Sequence, residues 1–416
     1  MNTPPQSPRG LRAGNLILSS LNKLGLAGCS LQPDDLLRTA RKRTGLQHLG
    51  DTYSREALER LSASMDNEAE LTPIGRLLTR ELLVTGLSNQ LKLEDWFSRH
   101  PEIAQQDIAE PIIIIGMPRT GTTILHELMA LDPANRVPQT WEVASPFPPP
   151  EHATYETDPR IKEEQTRLKV SHYLMPGVEN MHRMGAQLPQ ECVAITSDVF
   201  LSMLYTTIYH IPSYAEWLAN AADMSIAYRY HRRMHQLLQW RTRQSRWVLK
   251  SPGHLWSLEA LLTEYPDARL VQTHRDPLKI TSSLASMVPT MRSAYQYKID
   301  AGAVASEWAN TNALALNASL RARQSGAIRP EQIIDIQFSD FIQSPERAVE
   351  SIYRKFDLEF TPQLADVIRQ YIADNPADKH GGHKHYFSDT GLDAEKERAR
   401  VYDYQAYFNV LSESLK

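Results

Sequence analysis

Pro111-Ile112-Ile113-Ile114-Ile115-Gly116-Met117-Pro118-Arg119-Thr120-Gly121-Thr122-Thr123 is the stretch on which the fold turns. Four consecutive isoleucines ending in glycine have the unbroken hydrophobicity of a central parallel strand, with neither face left for water. Beyond the turn, Ile124, Leu125, Leu128 and Met129 recur at helical spacing until Asp132-Pro133 stops them. Strand, glycine-bounded turn and helix in that order make an anion cradle, because unpaired backbone N–H groups and the positive end of the helix dipole converge on the loop. The spacing from Gly116 to Gly121 matches the opening of the phosphate-loop pattern G-x-x-x-x-G-K-[ST], yet Thr122 stands where the lysine should be. The terminal phosphates of a nucleoside triphosphate are normally answered by that lysine and Mg²⁺. A cradle that drops the lysine and carries Arg119 suits a less highly charged transferable group, and sulfuryl is such a group.

Pro118 to Thr123 resembles the 5′-phosphosulfate loop of sulfotransferases that use 3′-phosphoadenosine 5′-phosphosulfate (PAPS), whose usual form is P-[KR]-[ST]-G-T-[TS]. The second half of that signature lies in Ala268-Arg269-Leu270-Val271-Gln272-Thr273-His274-Arg275-Asp276-Pro277 and onward to Ser282-Ser283, a strand running into a helix. In the family an Arg after this strand and a Ser eight residues later grip the 3′-phosphate, and Arg275 and Ser283 stand at that spacing. The resemblance implies that Arg119, Thr120, Gly121, Thr122 and Thr123 hold the 5′-phosphosulfate, that Arg275 and Ser283 hold the 3′-phosphate, and that no metal is needed. The chemistry agrees: a guanidinium fork binds phosphate bidentately and a hydroxyl on the next helix donates to the same oxygens. The plainer alternative is an ion pair of Arg275 with Asp276 or another acid.

Transfer to an acceptor needs a base, a cation near the leaving oxygen and an acceptor pocket. Glu142 is the first expectation for the base, since the family's glutamate follows the helix after the loop and Glu142 comes about twenty residues after Thr123; its alternative is a capping carboxylate beside Trp141. Glu191 is the competing carboxylate, with His182 near it in sequence. Pro189 suits a first helical position, which would put Glu191 in a first turn. Lys250-Ser251-Pro252-Gly253-His254 resembles the family's K-x-P-x-H element, giving Lys250 the leaving 5′-phosphate and His254 a contact with substrate or cofactor. The C-terminal R-K-G-x-x-G element of the best-known cytosolic sulfotransferases is missing; His380-Gly381-Gly382-His383-Lys384-His385-Tyr386 stands as a replacement lid, and its histidines match no recognisable metal-ligand spacing.

The chain has 416 residues, 42% hydrophobic and 23% charged, enough for one large α/β domain and an accessory region. Residues 1–14 read as a flexible N-terminus and 15–105 as an all-helical cap, with helical patterns over Pro33 to Thr44, Arg55 to Met65 and Thr72 to Ser88. From 106 to 416 strands alternate with helices: Ile112 to Ile115, Trp247 to Lys250, Leu270 to Thr273 and Ile333 to Gln337. That is a parallel sheet with helices on both faces, and its ligands belong outside the carboxyl ends of the strands. The net charge of −4 gives no support to nucleic-acid binding. Cys29 and Cys192, the only cysteines, exclude a disulfide framework and a thiolate cluster. Leu16 to Leu26 is too interrupted by polar residues for a signal peptide or membrane span, which makes a cytoplasmic protein the default expectation.

The basic run from Arg229 to Arg246 reads as the solvated face of an amphipathic helix, with Tyr230, Met234, Leu237 and Leu238 facing inward. Tyr205, Tyr209 and Tyr214 read as core or as the wall of an apolar acceptor pocket. The expected reaction is sulfuryl transfer from PAPS to a hydroxyl or amine of a small-molecule, lipid or carbohydrate acceptor. An ATP-dependent small-molecule kinase and a non-catalytic nucleotide-binding protein are the alternatives. Oligomeric state, a homo-oligomer included, stays open.

Overall fold

The isoleucine run forms β1 (Ile112–Ile115), at the centre of a five-stranded sheet in the order β2-β3-β1-β4-β5. Its neighbours are β2 (Asn135–Arg136), β3 (Arg246–Lys250), β4 (Arg269–His274) and β5 (Ile333–Gln337), and all pair in parallel. The computed structural model describes residues 8–23, 29–178, 183–243, 245–376 and 385–415. Strand alternation divides the four isoleucines between two layers. Ile112 and Ile114 pack with Leu125, Leu128, Val349 and Ile352 on one face; Ile113 and Ile115 join Leu249, Leu284 and Trp308 on the other. All four are fully buried, each contributing roughly 2–3 kcal/mol of transfer free energy.

Residues 33–99 contain three helices, Pro33–Thr44, Arg55–Asn67 and Pro73–Arg99. Their inward residues, among them Leu36, Leu61, Leu83 and Leu87, belong to the same apolar cluster as Ile113 and Ile115. The change near residue 105 is therefore one of secondary structure, not of core. Pro73–Arg99 runs well past Ser88, where the expected pattern stopped, because Ser88, Asn89 and Gln90 are polar yet buried. Asn89 Nδ2 lies 3.0 Å from Asp198 Oδ2, and Tyr230 donates to the same carboxylate at 2.8 Å. Burial pushes the Asp198 carboxyl up to about 7.

The basic run corrects another expectation. Tyr230, Met234, Leu237 and Leu238 do face inward on the helix Met224–Gln239, but His231 and His235 are fully buried with them. The half-buried arginines there are also engaged: Arg233 forks onto Glu94, and Arg232 donates to the Glu264 carbonyl at 2.6 Å. Strand β2 was not anticipated, since two residues carry no period.

Candidate active site

The carboxyl ends of β3, β1 and β4 meet at the point where the strand order reverses, and three loops leave from there. Ile114 is in register with Lys250, and Ile115 with Gln272, so Gly116, Ser251 and Arg275 emerge side by side. Gly116 is required because a Cβ would sit 2.1 Å from Thr273 Oγ1. The loop then folds back on itself: Arg119 holds φ 73, and Thr120 Oγ1 donates to the Met117 carbonyl at 2.7 Å while lying 2.6 Å from Thr273 Oγ1. Gly121, at φ 87, precedes the helix Thr122–Met129, which has no side-chain cap. A Cβ on Gly121 would meet the Phe341 ring at 2.9 Å. The cradle read from the sequence is thus a tight, glycine-dependent turn that aims a helix start at the crevice.

Two arginines close over this turn. Arg119 Nε donates to Ser283 Oγ at 3.0 Å, and Arg275 Nη1 donates to the Arg119 carbonyl at 2.8 Å. Burial, reinforced by the neighbouring Arg275 charge, lowers the Arg119 pKa. Two guanidiniums and a buried hydroxyl held together beside a backbone cradle have the chemistry to receive an anion. Arg275 also stacks over Phe338, 4.0 Å from its centroid, and forks onto Glu413 at 2.8 and 3.1 Å. The acid that pairs with Arg275 is Glu413, since Asp276 instead caps the helix Pro277–Arg292 and binds Arg398. Next to Ser283, Ser282 Oγ lies 2.9 Å from His385 Nδ1. His385 and Tyr386 are the described end of the expected lid; His380 to Lys384 and His182 lie outside the described residues.

Glu142 and Glu191 occupy opposite environments. Glu142 has no exposed surface, and both its oxygens are taken: Oε1 accepts from the Gln139 N–H at 3.0 Å, and Oε2 accepts from Arg136 Nη2 at 2.8 Å. It completes a capping box on the helix Thr140–Ala144. Its carboxylate raises the buried Tyr155 phenol further above its ordinary range, after burial itself. This arrangement gives Glu142 a structural role in the cap, with its carboxylate shut away from solvent. Glu191 is not in a first turn; it is the N-cap position of Cys192–Ser197, while Pro189 bridges to Gln139. Its side chain is partly exposed and forms an ion pair with Lys250, which is itself 2% exposed. The Lys250 charge, after burial, helps hold His126 down to about 3.

His254 lies in the short 3₁₀ turn Pro252–Trp256 with Nδ1 3.0 Å from the Tyr228 hydroxyl, and burial lowers it to about 3. It lines a cavity of about 460 Å³, a size suited to a small organic ligand. Its lining includes Val193, Ser251 and His254, which adjoin Glu191 and Lys250 in sequence, and Leu201, Met203, Leu218, Met224, Trp256 and Leu314 give it apolar walls. Tyr205, Tyr209 and Tyr214 are buried core, although their segment supplies cavity residues from other positions. Sequence reading missed Tyr228 and Glu413, which lie far from any motif. Among the described residues, no group of three or more histidine, cysteine, aspartate or glutamate side chains could hold a metal. Among the described residues, no helix is long and apolar enough to cross a membrane.

Known proteins share this fold. A sulfotransferase from Mycobacterium avium, STF9, superposes with a TM-score of 0.84 at 29% identity, over 92% of this chain and 98% of that one. STF1 of Mycobacterium tuberculosis gives 0.79 at 30% identity, over 90% and 99%. In sequence, the omega-hydroxy-beta-dihydromenaquinone-9 sulfotransferase Stf3 of Mycobacterium bovis is 25% identical over 297 residues, 66% of this chain and 69% of that protein. The model of the sulfotransferase family matches residues 111–362, from the first residue of the cradle to beyond β5. With the lysine-free cradle, the paired arginines and that match in agreement, the chain belongs to the sulfotransferase family.

Proposed function

We propose that this chain moves the sulfuryl group of PAPS onto a hydroxyl of an apolar small molecule. The observation that carries this reading is the convergence of Arg119, Arg275 and Ser283 over a phosphate cradle without its lysine. Backbone N–H groups of Thr120 to Thr123 and Arg119 hold the 5′-phosphosulfate, and Arg275 with Ser283 holds the 3′-phosphate. Glu191 takes the acceptor's proton as its oxygen attacks sulfur in line. The new O–S bond forms as the bond from sulfur to the bridging 5′-phosphate oxygen breaks, leaving adenosine 3′,5′-bisphosphate. Lys250, next to Glu191, steadies the charge that grows on that bridging oxygen.

An apolar acceptor is supported by the cavity beside Ser251 and His254, whose walls bear no lysine or arginine. The named substrate of the Mycobacterium bovis relative, a hydroxylated menaquinone derivative, is of the same general character. Incubation with ³⁵S-labelled PAPS and a panel of apolar alcohols, sugars and acidic acceptors tests the reading. Label should move to an apolar alcohol, with one adenosine 3′,5′-bisphosphate released per sulfate ester. Exclusive labelling of sugars or acids would refute the acceptor class, and no labelling with any acceptor would count against transfer.

A further inference from the structure

We infer that Glu413 is an internal stand-in for the 3′-phosphate, seated on Arg275 and exchanged for the nucleotide when it binds. The inference rests on the assignment of Arg275 to the 3′-phosphate. The Glu413 carboxylate meets Nε and Nη2 of Arg275 at 2.8 and 3.1 Å, the forked geometry in which an arginine takes two oxygens of a phosphate. The third engaged donor, Nη1, is committed to the Arg119 carbonyl. A phosphate entering this fork therefore competes with Glu413 for the same edge of the guanidinium.

The surrounding contacts suit a reversible exchange. Glu413 is held by its own N–H, which donates to Asp276 Oδ2 at 2.7 Å, and nearby the Leu415 carbonyl accepts from Phe387 N at 3.3 Å. Departure of Glu413 leaves Asp276 anchored, because Arg398 binds it at 2.6 and 3.1 Å and Leu278 N at 3.0 Å. The helix that carries Ser283 thus keeps its cap while the segment around Glu413 lifts. Glu413, about one-third exposed, has water at hand when displaced. Its return to Arg275 would favour release of the bisphosphate product, which still bears the 3′-phosphate.

Calorimetric titration of the full chain and its Glu413→Gln and Glu413→Ala variants with adenosine 3′,5′-bisphosphate and with AMP tests this. Both variants should bind the bisphosphate more tightly, by up to about fivefold, the range for a partly exposed ion pair no longer competing, with AMP affinity unchanged. Bisphosphate dissociation should slow correspondingly in stopped-flow. Unchanged or weaker bisphosphate binding would overturn the inference and make Glu413 a group that merely orients Arg275. No preference for the bisphosphate over AMP in any of the three proteins would instead overturn the phosphate assignment of Arg275, and the inference with it. Hydrogen exchange on the unmutated chain supplies a check independent of variant folding: amides of 409–415 should exchange faster with bisphosphate bound, and equal or slower exchange would contradict displacement.

Discussion

Glu191 and Glu142 have the same side chain and opposite environments, so substitution should separate them. Glu191→Gln removes the proposed proton acceptor. Turnover should fall by about two to four orders of magnitude, the usual weight of a positioned base, with bisphosphate affinity within a few-fold of the unmutated protein. Glu142→Gln should do the reverse. It removes the charge from the buried pair with Arg136 while leaving an amide oxygen for the capping-box contact, costing about 3 kcal/mol of stability by denaturant titration, while kcat of the folded fraction stays near normal. Retained turnover in Glu191→Gln would remove it from the base role. The sequence did hold a clue to this assignment: Gln139 and Glu142 stand three apart just ahead of a short apolar run, the spacing of a capping box. For Glu191 the misleading residue was Pro189, whose preference for a helix start yielded to a bridge with Gln139. Arg275 and Ser283 were legible because both sit on one continuous strand-to-helix segment. Glu413 was not, because its meeting with Arg275 is made only by the folding of a segment 138 residues away.

At the scale of elements, the helix Met224–Gln239 and its neighbours bury imidazoles that must stay neutral. His126 and His254 are lowered to about 3 and His235 to about 4, in each case chiefly by burial. Unfolded histidine titrates near 6.5, so the stability these groups contribute is complete above that pH and is lost as pH falls toward their folded values. Each contributes about 1.4 kcal/mol per pH unit in that window; His231, lowered by burial on the same helix, adds to them, while Asp198, raised by burial to about 7, acts in the opposite direction. Urea-derived stability measured from pH 7 to pH 4.5 should drop, and His235→Gln should flatten the slope by one histidine's share, about 1.4 kcal/mol per pH unit, whatever it does at pH 7. A slope unaltered in that variant would mean His235 is not neutral in the folded chain. The pattern of Tyr230, Met234, Leu237 and Leu238 identified this helix but not how deeply it lies, because histidine reads as polar in a hydropathy pattern. The same failing hid the second half of Pro73–Arg99, where buried Ser88, Asn89 and Gln90 look like a surface.

For the molecule as a whole, topology does what the cradle sequence promised: strand order β2-β3-β1-β4-β5 brings loops from residues 116, 251 and 275 to one crevice. Hydrophobic runs and the rule that ligands sit at the carboxyl ends of parallel strands were enough to foresee that much. The cavity was foreseeable only in part: the segment of Tyr205 to Tyr214 and His254 read as possible acceptor contacts, but the walls from 216–228 and 307–314 belong to no motif. Gly116→Ala should damage the crevice rather than the fold around it. Its Cβ would displace Thr273 Oγ1 and with it the Thr120 contact, so bisphosphate affinity should fall at least tenfold while the far-ultraviolet circular dichroism stays unchanged; unaltered affinity would show that the loop tolerates the group.

The central claim is that the crevice is built for a 3′-phosphorylated adenine nucleotide rather than for a metal-bound triphosphate. Calorimetric titration of the unmutated chain with adenosine 3′,5′-bisphosphate, AMP, and ATP with and without Mg²⁺ tests it most directly. The account predicts the tightest binding for the bisphosphate, indifferent to Mg²⁺ or to chelation. Tightest binding of ATP, and only with Mg²⁺, would contradict it.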